Sequence, residues 1–213
     1  MRINRESLLV YAVTDRKWLN GQTVARQVEE AIIGGATFIQ LREKQLHYDD
    51  FLTEAIQVKK VTDCYNIPFV INDQVDIAIA CDADGVHIGQ DDLPVHSVRS
   101  LIGPYKILGV SAQTVEQAMA AEQAGADYLG VGAMFPTSTK QDAERVSFET
   151  LKQICEAVSI PVVAIGGITE QNVSLLSGSG IAGVAVISAL FAQNDIKEAA
   201  KRFTKLSKQM VNV

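Results

Sequence analysis

Several apolar runs in this chain end in polar residues whose types and spacing suit anion chemistry. The segment Gln40-Leu41-Arg42-Glu43-Lys44 closes one such run. In extended backbone successive side chains alternate, so Gln40, Arg42 and Lys44 share one face and Leu41 points the other way. An amide and two cations on the inner face of a sheet require a partner of opposite charge, because buried polar groups without partners are costly. An anion site is therefore expected there, with Glu43 in a solvated part of the loop. Two further runs end in Asn72-Asp73 and in Gly89-Gln90-Asp91-Asp92. If those runs are neighbouring strands, Asp73 and Asp92 each offer one carboxylate to a shared hard cation, and Mg2+ takes such a pair together with water and phosphate oxygens. Asp91 is then a solvated neighbour or a group that supports the two ligands from behind. Ser111 ends another run. Phe135-Pro136-Thr137-Ser138-Thr139-Lys140 is a hydroxyl-rich loop ending in a lysine, suited to closing over an anion. It lacks the glycine pattern of a P-loop. Finally, IPVVAIGGI at 160–168 reads as a buried parallel strand closed by a glycine pair. A glycine pair marks a turn where the backbone comes close to something, and Thr169 is expected to cap a short helix after it. The run at 183–187 ends likewise at Ser188. Adjacent strand ends of this kind hold phosphate in barrel enzymes.

The elements that position these residues follow a regular order. Strand-like runs lie at 8–13, 38–41, 69–71, 85–88, 107–110, 128–131, 162–165 and 183–187. Helical spacing marks 23–33, 50–61, 115–124, 148–158 and 196–210, with shorter helices at 75–80, 94–102 and 172–176. Thr114 and Gln117 form a capping-box pattern at the head of one helix. Strand and helix alternate eight times, so the expected architecture is α/β, one (β/α)8 TIM barrel spanning residues 1–213. An open doubly wound sheet is the alternative. A faint internal repeat pairs IPFVI at 67–71 with IPVVA at 160–164, and GATFI at 35–39 with GADYL at 125–129, as two half-barrels would. Gly130 and Gly132 are expected to leave room in the barrel mouth.

With 213 residues, 47% of them apolar, the chain has enough for one sizeable core. A net charge of −6 argues against nonspecific nucleic-acid binding, so an anionic small substrate must meet a local positive site. Cys64, Cys81 and Cys155 show no paired spacing and read as buried thiols of a reducing compartment. No apolar run reaches membrane-span length and the N-terminal segment has no signal-peptide core, so a cytoplasmic protein is expected. His47, His87 and His96 lack zinc-ligand spacing; His87 is expected to be structural and the other two exposed.

Taken in order, the motifs resemble those of the thiamin phosphate synthase family. They are YAVTD at 11–15, QLREK at 40–44, IND at 71–73, GVHIGQDD at 85–92, LGVSA at 108–112, TSTK at 137–140, IGGI at 165–168 and the pair Ile187-Ser188. The resemblance implies an enzyme that joins hydroxymethylpyrimidine diphosphate to hydroxyethylthiazole phosphate and releases pyrophosphate. It implies that Gln40, Arg42, Lys44, Asn72, Ser111 and Lys140 bind the pyrimidine diphosphate, with Arg42, Lys44, Ser111 and Lys140 acting in catalysis. It implies that Asp73 and Asp92 bind Mg2+, and that Thr137, Thr139, Gly167, Ile187 and Ser188 hold the thiazole phosphate. Three other readings are open at this point: a thiazole tautomerase, a phosphosugar isomerase or epimerase, and a non-catalytic sensor of a thiazole ligand. Small molecules are the expected partners; the oligomeric state is open.

Overall fold

The computed structural model describes residues 3–137 and 145–211. Within them eight parallel strands close into a barrel in chain order, β1 (Val10–Val13), β2 (Phe38–Leu41), β3 (Phe69–Asn72), β4 (Gly85–Ile88), β5 (Ile107–Ala112), β6 (Tyr128–Val131), β7 (Val162–Ile165) and β8 (Gly183–Val186), with β8 pairing back to β1. The barrel replaces the open-sheet alternative. Around it run α1 (Val24–Ile33), α2 (Tyr48–Tyr65), α3 (Val75–Ala80), α4 (Val95–Ile102), α5 (Val115–Gln123), α6 (Phe148–Ala157), α7 (Ser188–Phe191) and α8 (Ile196–Val211). The segment read as a helix at 172–176 is a 3-10 turn, Val173–Leu176.

The strands read as continuous apolar runs because both faces are buried. Alternate residues divide between two cores. Val10, Ala12, Ile39, Leu41, Ile71 and Val110 face outward and pack with the helices. Tyr11, Val13, Phe38, Val70, Tyr128, Val163 and Ala185 face inward and fill the barrel. At the centre Tyr11, Phe38 and Tyr128 meet edge to face, with ring centroids 4.6 to 5.8 Å apart, a geometry the ring quadrupoles favour.

Carboxylates secure the N-terminal ends of the strands by accepting backbone N–H groups: Asp84 from Phe69 at 2.9 Å, and Asp127 from Leu108 at 2.8 Å. Arg99 ties Asp127 into the same rim at 2.6 Å. The 3-10 turn Arg5–Leu8 closes that end, with Leu8 fully buried and Arg5 bonded to the carbonyls of Gly180 and Ile181. With one end packed shut, the opposite, C-terminal end of the strands is left to carry the pocket.

Thr114 caps α5 by accepting the Gln117 N–H at 3.2 Å, and the Gln117 side chain returns to the N–H of Gln113. The expected pairing thus holds, shifted by one residue on its return arm.

Candidate active site

A cavity of about 490 Å³ opens at the C-terminal ends of the strands. Its lining includes Gln40, Arg42, Lys44, Asn72, Asp73, Asp92, Ser111, Thr137, Gly167, Ile187 and Ser188. Eleven residues singled out from sequence, spread over six strand ends and the loop after β6, thus line one cavity. Thr139 and Lys140 lie outside the described residues, as does Ser138, so the lid reading of that loop covers residues whose placement is not described.

Gln40 sits inside the barrel while Leu41 packs outward, as alternation requires. Arg42 and Lys44 lie just past the end of β2. Lys44 Nζ reaches Asp73 Oδ2 at 2.5 Å. Glu43 departs from expectation: it is buried rather than solvated. It takes Arg16 Nε at 2.6 Å and the N–H groups of Lys44 and Gln45, so its carboxylate folds the loop that presents the two cations. Arg16 also bonds Glu54 at 2.6 Å.

Asp73 and Asp92 come together at the ends of the adjacent strands β3 and β4. Burial raises the Asp73 carboxyl above the usual carboxylate range, Lys44 draws it back, and the neighbouring Asp92 pushes it up again. Asp73 adopts φ +63, a left-handed conformation that Asp tolerates better than most residues. Its N–H donates to the His87 carbonyl at 2.8 Å. Asp92 Oδ2 accepts the Gly89 N–H at 2.7 Å, so this residue also shapes its own turn. Two adjacent carboxylates beside this cavity and two cations have the donor chemistry of a Mg2+ site completed by water and phosphate oxygens. Among the described residues no group of three or more His, Cys, Asp or Glu side chains could hold a metal by itself.

Across the mouth, Gly166 and Gly167 turn the chain after β7. Gly167 has φ +64, and a Cβ there would sit 2.3 Å from the Pro136 carbonyl and 2.7 Å from that of Phe135. The close approach expected of the glycine pair is therefore first an approach to the loop after β6. Thr169 does not cap a helix in the way expected. Asn172 holds this turn instead, accepting the Thr169 N–H at 2.8 Å and donating to the Gly167 carbonyl at 2.9 Å. Among the described residues the backbone N–H groups of Gly167 and Ser188 donate no hydrogen bond, so both remain open to an anion in the cavity they line.

Across the floor of the cavity, Tyr11 and Tyr128, given no role from sequence, and His87, expected to be structural, join Gln40 to Ser111. Gln40 Nε2 donates to Tyr11 Oη at 2.6 Å, and Tyr11 and Tyr128 hydroxyls are 2.7 Å apart. Tyr128 Oη lies 2.9 Å from His87 Nδ1, and His87 Nε2 lies 2.9 Å from Ser111 Oγ. Burial lowers the His87 imidazole to about 4, Asp92 opposing weakly, and raises both tyrosines. The space expected at Gly130 is faced by the His87 ring, whose Cε1 would be 3.2 Å from an added Cβ. At Gly132 a Cβ would strike the Ile165 carbonyl, so that glycine serves strand packing as well as the mouth. Gln90 also joins the rim, donating to the Ser111 carbonyl at 2.6 Å. His47 and His96 are exposed, as expected, whereas of the cysteines Cys64 is exposed rather than buried.

Comparison with known proteins agrees with this geometry. The family described as thiamine monophosphate synthase matches residues 10–190. A thiamine-phosphate synthase of Clostridium tetani is 54% identical over 195 residues, covering 92% of this chain and 93% of the relative. Thiamine-phosphate synthase 2 of Streptococcus pneumoniae is 49% identical over 203 residues, covering 95% and 97%. Among solved structures, thiamine phosphate pyrophosphorylase from Pyrococcus furiosus superposes with a TM-score of 0.90 at 38% identity, covering 97% of this chain and 98% of that one. The (S)-3-O-geranylgeranylglyceryl phosphate synthase of Thermoplasma acidophilum shares the fold alone, at 14% identity and a TM-score of 0.70 over 96% of each chain. With its barrel closed in chain order, its motif residues gathered around one cavity and close relatives matched along nearly their whole length, the chain belongs to the thiamine monophosphate synthase family.

Proposed function

We propose that this chain, acting as one barrel domain, joins hydroxymethylpyrimidine diphosphate to hydroxyethylthiazole phosphate, giving thiamin phosphate and pyrophosphate. The observation that carries the reading is the meeting of two unlike anion sites in one cavity: amide, cations and paired carboxylates at β2 to β5, and open backbone N–H groups at β7 and β8. Gln40, Asn72 and Ser111 hold the pyrimidine diphosphate, with Arg42 and Lys44 on its phosphates and Lys140 joining from the loop. Asp73 and Asp92 hold Mg2+, which when bound supplies positive charge to the diphosphate. Gly167, Ile187 and Ser188, with Thr137 and Thr139, receive the thiazole phosphate.

The thiazole nitrogen is the nucleophile, so the chain needs no activated side chain. Arg42, Lys44 and Lys140 stabilise the charge that grows on the departing pyrophosphate. Ser111 donates to it, and the remaining contacts hold the two substrates in line. Both His87 nitrogens are committed to Tyr128 and Ser111, which argues against a general base of the kind an isomerase requires. Among the described residues no helix is long and apolar enough to cross a membrane. The reaction is proposed to take place in the cytoplasm, the compartment that suits a chain with unpaired cysteines and soluble substrates. Pyrophosphate release with both substrates, with and without Mg2+, tests the reading. Release that requires both substrates and the metal is expected; no release under any of these conditions refutes it.

A further inference from the structure

We infer that Tyr11, Tyr128 and His87 form a one-way hydrogen-bond chain that positions the Ser111 hydroxyl as a donor into the cavity, by keeping the His87 proton on Nε2. The role of Ser111 rests on the proposed function; the direction of the chain does not.

The direction follows from counting protons. The Gln40 amide nitrogen only donates, and it faces Tyr11 Oη at 2.6 Å. Tyr11 has one proton and one other neighbour in the chain, so it donates to Tyr128 across 2.7 Å. Tyr128 then has its proton left for His87 Nδ1 at 2.9 Å, which must accept. A ring that carried a proton on Nδ1 would make Tyr128 donate to Tyr11, which already accepts from Gln40, and would leave the buried Tyr11 proton without an acceptor in the chain. The imidazole proton is thereby placed on Nε2, where it is donated to Ser111 Oγ at 2.9 Å. The hydrogen of Ser111 is then directed away from His87, and Ser111 lines the cavity.

With every proton in it paired, the chain runs in the opposite sense only if the Gln40 amide is turned so that its oxygen faces Tyr11. Ser111 would then give its proton to His87 and meet the cavity as an acceptor, which repels an anionic oxygen. The two directions thus have opposite consequences for a diphosphate. The path is held in place by packing: Tyr128 is fully buried, Gln40 is 4% exposed and His87 is 8% exposed. A Cβ on Gly109 would lie 2.2 Å from Tyr128 Cζ and 2.5 Å from His87 Nδ1, so the missing side chain there lets the two rings meet. Tyr11, Tyr128 and His87 are positioning residues, acting through Ser111.

Nitrogen-15 NMR of histidine-labelled protein without substrates tests the direction. His47→Gln and His96→Gln variants assign the signals of the two exposed histidines. His87 is expected to show a protonated Nε2 and a bare Nδ1, and a proton on Nδ1 overturns the inference. Tyr128→Phe keeps the ring and removes one oxygen. It is expected to lower kcat for pyrophosphate release tenfold or more while KM for the thiazole phosphate stays within a factor of two, and to mix the His87 tautomers. A variant with unchanged kcat and an unchanged His87 signal also overturns it. Should that variant fail to fold, the tautomer of the unaltered protein still decides. Unaltered protein that shows the Nε2 proton but releases no pyrophosphate refutes the proposed function and with it the donor role of Ser111, while the chain's direction is upheld.

Discussion

His87 ties stability to pH in a direction set by its burial. Burial lowers its pKa from 6.5 to about 4 in the folded chain, while the unfolded chain keeps the ordinary value. Between those values the unfolded chain binds more protons than the folded one, so stability rises with pH across the window. Above the unfolded value both states are neutral and the contribution is constant; as pH falls toward the folded value it is lost. At about 1.4 kcal/mol per pH unit, the interval amounts to about 3 kcal/mol. Other groups titrate in the same range, so the measurement is a difference. Urea unfolding of the wild type and of His87→Gln, followed by circular dichroism from about pH 7 to about pH 4, isolates it. The variant lacks the ring that refuses the proton. The wild type's advantage at neutral pH is therefore expected to shrink by about 3 kcal/mol on acidification. Stability curves that run parallel over the whole range would refute the reasoning, because they would mean that the imidazole accepts its proton as readily inside the barrel as outside.

Asp92→Asn removes one of two adjacent negative charges, so the Mg2+ concentration for half-maximal activity is expected to rise about tenfold or more, with thiazole phosphate binding by calorimetry nearly unchanged. Gly167→Val meets the Pro136 carbonyl at 2.3 Å in a left-handed conformation. It is expected to destabilise the protein by about 2–4 kcal/mol in thermal unfolding, as well as weakening thiazole phosphate binding. Lys140→Ala is expected to lower kcat about tenfold or more with the fold intact, and an unchanged kcat would make it a surface lysine. Burial pushes the Cys155 thiol up to about 11, whereas Cys64 is exposed. Iodoacetamide at about pH 8 is therefore expected to modify Cys64 well before Cys155 by mass spectrometry.

Strand-end logic made most of this site legible. Once a closed parallel barrel is recognised, the residue after each apolar run is placed at one rim, and alternation sends Gln40 inward and Leu41 outward without further information. Asp73 and Asp92 could be paired because β3 and β4 are sequence neighbours and parallel barrels are wound in order. What alternation cannot supply is contact between strands far apart in sequence. Tyr11 and Tyr128 are 117 positions apart, and nothing in either local pattern shows that their hydroxyls meet. Glu43 looks solvated in sequence for the same reason: its partner Arg16 lies in a different loop, and a charged residue shows no partner until the chain is folded. Gly167 was read correctly as a close approach but not for its neighbour, since the loop after β6 closes on it only in three dimensions. The turn at Asn172 escaped because a side chain that bonds on both sides of a bend imitates a helix cap in sequence.

On the proposed function, the order of the strands would also let two anions be handled without a shared charge. The carboxylates and Lys44 stand at the ends of β2, β3 and β4, and the open N–H groups after β7 and β8, so the closed barrel sets them on different sides of one mouth. Among the described residues the cations that line the cavity, Arg42 and Lys44, both stand on the first side, and the second is left to backbone dipoles. Cations placed at both sites would hold a phosphate and a diphosphate equally well at either, and each substrate could then occupy the other's place. On the proposed function, dividing the work between side-chain charge with a metal and backbone N–H groups would give the two anions different homes, because the more highly charged one gains most from full charges. Between the two sides lies the polar floor from Gln40 to Ser111, where hydrogen bonds replace apolar packing across the barrel. Its cost is tolerable because each link is paired with the next, and its benefit is a surface whose donors and acceptors are set before either substrate arrives.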